Sequence, residues 1–110
     1  MPAIDSAALA KEMIAAAKGV LKKRWPEVRD YATQEMKKLA ADAVFIEAQV
    51  AAKKMSPEQA KLLLGIQQNA ARTVLLAAEG MSLLAAEEAI NAAIRVAGKA
   101  VNTAIGFTLL

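Results

Sequence analysis

Apolar positions recur along this chain at spacings of three and four residues, the period of a helix that buries one face. From Asp5 or Ser6, either of which carries a side-chain oxygen able to cap a first turn, Leu9, Met13, Ala16 and Val20 share one side, and Lys11, Lys18 and Lys22 share the other. The pattern predicts a first helix over 5–24. Trp25-Pro26 then interrupts it. Proline lacks an N–H and disfavours the α conformation in the residue before it, yet suits the first position of a new helix, so the chain either turns or kinks here. A second helix, over 26–54, carries Ala32, Met36, Leu39, Ala43, Ile46 and Val50 at spacings of 4, 3, 4, 3 and 4. This is the heptad seam by which one helix packs along another, as in a coiled coil. Lys38, Asp42 and Gln49 lie opposite it, with Phe45 among them.

The clearest local signal is Met55-Ser56-Pro57-Glu58-Gln59. Ser56 is an N-cap, Pro57 fits the first helical position, and Gln59 completes a capping box. One helix ends before it and another begins on it, and so short a connection makes the two antiparallel neighbours. The third helix, over 57–79, has Ala60, Leu63, Leu64, Gln67, Ala70, Ala71, Val74 and Ala78 on one face. Gln67, inside that apolar face, either finds a hydrogen-bonding partner or lies half-exposed at its edge. Gly80 then offers a C-terminal cap and Ser82 a new N-cap, a weaker break because Ala85 stands where a capping box has its glutamate. The fourth helix, over 82–106, presents Leu83, Ala86, Ile90, Ile94, Ala97, Val101 and Ile105. Its polar stripe of Glu88, Asn91, Arg95, Lys99 and Asn102 is narrow.

These elements imply an all-α fold in one domain over residues 1–110, an antiparallel bundle of four helices. If Trp25-Pro26 and Gly80 are kinks rather than turns, the same elements merge into a hairpin of two long kinked helices. Each would be ~75 Å long at 1.5 Å per residue. Such a hairpin leaves apolar surface wet and has to oligomerise.

Composition strengthens the helical assignment and removes most chemistry. Alanine, the best helix former, fills 27 of the 110 positions. There is no cysteine and no histidine, so the usual thiolate nucleophile, metal ligands and general base are missing. A carboxylate-bridged di-iron bundle needs Glu-x-x-His pairs and is excluded in its usual form. No phosphate-cradling glycine loop, dinucleotide fingerprint or zinc pattern occurs. The expectation is a non-enzymatic protein with no catalytic residues, no cofactor and no metal. No basic n-region with an apolar core opens the chain, and no run of about 20 apolar residues follows. This predicts a cytoplasmic protein, or one secreted by a leaderless route if it acts on membranes. In composition the chain is similar to small alanine-rich helical proteins of bacteria and phages, a likeness carried by no motif.

Three partner classes follow. Phe45, Leu62 and Leu76 fall on the polar sides of their helices, and the chain ends on an apolar tail with Phe107, Leu109 and Leu110. These six residues are the candidate interface for a homo-oligomer or another helical protein, and an assembly or adaptor role is the leading expectation. The ladder Ala85, Ala89, Ala93, Ala97 either packs tightly inside the bundle or forms a self-association face. The net charge of +3 lies wholly in residues 1–38, where Lys18, Lys22, Lys23, Arg24 and Trp25 gather. That cluster suits an anionic membrane surface, as in a bacteriocin-like protein, or more weakly the phosphates of a nucleic acid with Trp25 stacking on a base. Alternatively, its cations complement a helix C-terminus and Trp25 caps the core.

Overall fold

The computed structural model describes residues 4–78 and 81–105 of the chain. They form α1 (Ser6–Leu21), a 3₁₀ turn (Lys22–Arg24), α2 (Trp25–Ala51), α3 (Pro57–Leu76) and α4 (Leu83–Ile105), with no strand among the described residues. Helical residues run without a gap from 6 to 51, so the continuous stretches are 6–51, 57–76 and 83–105. The first stretch is folded on itself. A straight helix of that length would extend ~70 Å at 1.5 Å per residue, whereas the longest dimension of the molecule is 42 Å.

The reversal that separates a closed shape from an open hairpin is made at Lys22. Its backbone, at φ 50° and ψ −114°, matches the first central position of a type II′ turn, which glycine normally fills. Sequence periodicity carries no signal for it, because the residue is a lysine. α2 then begins at Trp25, one residue earlier than expected. Trp25 is in the α conformation despite the proline after it. Its side chain packs, half-buried, against the core, and this tertiary contact outweighs the local preference.

The remaining helix ends follow cap chemistry. Asp5, rather than Ser6, caps α1, its Oδ1 accepting the Ala7 N–H at 2.9 Å. Ser56 Oγ accepts the Gln59 N–H at 3.1 Å while Gln59 Oε1 accepts the Ser56 N–H at 2.9 Å, the reciprocal box expected. Ser82 caps α4 through the Ala85 N–H at 3.1 Å. α2 ends three residues before the expected boundary. The Lys53 N–H donates to the Val50 carbonyl at 3.0 Å, and the Lys54 N–H to that of Gln49 at 2.9 Å. This is a Schellman motif with Lys53, at φ 61°, in the left-handed position. α3 ends at Leu76, also three residues early. The expected glycine cap at Gly80 lies outside the described residues.

α1 packs on α2 and α4, α2 also on α3 and α4, and α3 on α4. The contact of α4 with α1 is the most extensive. Ala89, Ala93 and Ala97 of the alanine ladder are fully buried, together with Ala86 beside them, and Ala85 is half-buried against the core, so the ladder packs inside the molecule and is not an outer face. Small side chains there let helix axes approach to the short end of the usual 8–10 Å separation. In α1 the buried row is Leu9, Ala10, Met13, Ala17 and Leu21. This is the expected face turned slightly, with Ala16 and Val20 at its edge. In α2 the heptad seam is buried as expected, and Glu35 is buried beside it, its carboxylate 3.2 Å from Lys38 Nζ.

Two outcomes follow from this packing. Lys22→Gly and Lys53→Gly should each stabilise the fold, by roughly 0.5–1 kcal/mol once the greater chain entropy of unfolded glycine offsets part of the relieved strain. A lower urea midpoint for either variant would contradict the backbone assignment. Ala93→Leu should overpack α4 and destabilise by about 1–3 kcal/mol, and an unchanged midpoint would show that the ladder is not tightly enclosed.

Candidate protein-interaction surface

α3 carries large apolar side chains on two opposite sides. Its inner row, Ala60, Leu64, Ala71 and Leu75, is buried. At ~100° per residue, Leu62, Ile66, Asn69, Thr73 and Leu76 fall on the far side, and all five are exposed. Leu62 is 69% exposed and Ile66 55%. Phe45 of α2 is 53% exposed, and Leu83 and Leu84 at the start of α4 are 55% and 66% exposed. Tyr31 completes the set of large exposed apolar side chains among the described residues.

Three of the six residues singled out from the sequence, Phe45, Leu62 and Leu76, are therefore on the surface. Phe107, Leu109 and Leu110 lie outside the described residues. Ile66, Leu83 and Leu84 were not anticipated. Ile66 was legible in principle, since it stands four residues after Leu62. Leu83 was assigned to the inner face of its helix by periodicity, but it belongs to the first turn of α4 and is exposed there. Gln67 is half-buried, at the edge of the inner face, and Ala70, expected inside, is exposed.

Between α3 and α4 the surface is polar. A cleft of about 260 Å³ is lined by Gln68, Asn69, Arg72, Glu87, Ile90 and Asn91. Arg72 spans it, donating to Glu87 Oε1 at 3.2 Å and to Asn69 Oδ1. The cleft is smaller than the ~300–1,000 Å³ typical of small-molecule sites, and those are mainly apolar. Three of its polar residues, Asn69, Arg72 and Glu87, are joined by these hydrogen bonds. Its evident role is to hold α3 against α4 and to fix the orientation of Arg72.

The basic cluster sits at the α1–α2 reversal, with Lys18, Lys22, Lys23 and Arg24 all exposed. Trp25 does not join them at the surface as a free ring, because it is packed against the core. Both the lipid-surface and the base-stacking expectations called on that ring. No group of three or more metal-ligating acids occurs among the described residues. No helix among them is long and apolar enough to cross a membrane. No family model matches the chain, and comparison with curated proteins and with solved structures finds no match either.

Asp42, half-buried on α2 three residues before Phe45, has its carboxyl raised above the ordinary value of 3.8 by desolvation. Between 3.8 and the raised value the folded chain binds more proton than the unfolded chain, so stability falls as pH rises through that window. Asp42→Asn should therefore raise the melting temperature at pH 7. The gain should shrink towards zero as pH falls to the unfolded-state value. An Asp42→Asn gain that persists undiminished in acid would show that its origin is not the carboxylate charge.

Proposed function

We propose that the protein is a non-enzymatic assembly or adaptor protein. In this reading it is an up-down bundle of four helices that joins copies of itself, or another helical protein, through apolar helix faces its own core leaves uncovered. One observation carries the reading: the inner row of α3 is already buried, yet the opposite side presents Leu62, Ile66 and Leu76 to solvent. Single exposed leucines are ordinary on a monomer, whereas an apolar row along one helix marks a contact site. Phe45 and the Leu83-Leu84 pair add to the apolar surface on the two neighbouring helices. The residue types support the same direction, since cysteine and histidine are both absent.

The test is solution mass by light scattering after size exclusion, across a hundredfold range of concentration. The expected result is a mass above the 11.6 kDa of one chain. Leu62→Asp and Phe45→Asp should return the mass towards that of one chain with helix content unchanged. A constant single-chain mass at every concentration, unmoved by either substitution, would overturn self-association as the mode of action.

A further inference from the structure

The outer row of α3, Leu62, Ile66, Asn69, Thr73 and Leu76, has spacings of 4, 3, 4 and 3. This is the register in which a helix meets another helix, so the row calls for a helical occupant. Gly65 lies beside Leu62 and Ile66 in the middle of α3. A Cβ built on it meets nothing within 4 Å, so packing inside the chain gives no reason for a glycine. A glycine there weakens the helix relative to alanine. It also strips side-chain bulk from the flank of an exposed apolar row, where a second helix could come close.

The charges choose the occupant. Glu58 and Arg72 stand seven residues to either side of Gly65, on the same flank of the row. Two α3 helices laid antiparallel about Gly65 bring Glu58 of each against Arg72 of the other. The same register stacks Leu62 and Ile66 of both copies into one apolar layer. A parallel alignment would oppose like charges. Arg72 is held in place by Glu87 and Asn69, and its side chain is still 34% exposed. Its guanidinium has five N–H donors and can take a further carboxylate. Exposed ion pairs of this kind fix orientation more than affinity.

We propose that two copies of this chain pair through α3, antiparallel and two-fold about Gly65, with Leu62 and Ile66 as the apolar contact and Glu58 of each chain paired with Arg72 of the other. The proposal rests on the self-association reading and names its site, orientation and partner. Because the chain has no cysteine, Gly65→Cys introduces a single thiol placed on the two-fold axis, opposite its own copy. Under mild oxidation this variant should form a disulfide dimer of ~23 kDa, twice the 11.6 kDa chain. Gly19→Cys is the control: an added Cβ meets nothing there either, but the position is on α1, away from the row. It should cross-link at least tenfold more slowly. Glu58→Arg in the Gly65→Cys background should slow cross-linking about fivefold, as expected for losing two exposed pairs of ~0.5 kcal/mol each. Adding Arg72→Glu should restore the rate. Equal cross-linking at positions 19 and 65 in a protein whose light-scattering mass is multimeric overturns the α3 pairing and leaves association itself standing. A single-chain mass at all concentrations overturns both.

Discussion

The structure depends on how closely alanine lets helices approach. Twelve of the twenty-five buried apolar residues among those described are alanines. In α4 they occupy the buried positions 86, 89, 93 and 97. An alanine contact gains less from burial per residue than a leucine contact, because less apolar area leaves water. It compensates by bringing backbones near and by losing no side-chain entropy. The consequence appears on the outside. An interior built largely from small side chains has limited room for large ones, and Leu62, Ile66, Leu83, Leu84 and Phe45 are left at the surface. The tight core and the exposed apolar row are two results of the same distribution of residue sizes.

That distribution also explains which parts of the fold were legible in the sequence. The Ser56 capping box was legible because it rests on side-chain oxygens at fixed offsets, and both of its hydrogen bonds are present. The α2 seam was legible because its large residues, Met36, Leu39 and Ile46, stand at heptad spacing. The rotation of α1 was less so. With Ala15, Ala16 and Ala17 in succession, the apolar side of the helix is poorly defined by residue type. Only the packing of α1 against α2 and α4 selects Ala17 and Leu21 over Ala16 and Val20. Leu75, fully buried, was passed over for a similar reason, since Val74 and Leu76 flank it and three apolar neighbours mark no side. The reversal was legible only as a break at Trp25-Pro26, with turn and kink both open; its seat at Lys22 was not, because a lysine at positive φ contradicts the rule that flags such turns.

The exposed residues were half legible. Phe45, Leu62 and Leu76 stood out because they broke the polar side of a predicted helix. Ile66 did not, since a helix read for a single apolar face hides a second one opposite. For the basic cluster the sequence left two roles open, and the position of Trp25 bears on the choice. With its ring against the core, Trp25 ties the reversal to the bundle, while Lys22, Lys23 and Arg24 stay in water. Their charge adds solubility to a chain with a positive mean hydropathy of 0.30.

Lys22, Lys53, Gly19 and Gly65 each contradict local preference, and they differ in what offsets them. Lys53 sits in a left-handed conformation but makes one of the two closing bonds of a Schellman motif, so the helix end benefits from the strain. Lys22 is strained where the first helical stretch must reverse, and the extensive packing of α1 on its neighbours depends on that reversal. Gly19 belongs to the last turn of α1, where a weak helix former interrupts little that is not about to end. Gly65 differs from all three. It lies near the centre of α3, takes part in no turn, and leaves room that no side chain of its own chain fills. Locally unfavourable choices without a compensating contact are where function is best sought. Here the uncompensated residue adjoins the most exposed leucine of the chain's described residues, Leu62. The α3 contact proposed above accounts for both features at once, supplying the glycine with the close neighbour that its own chain lacks.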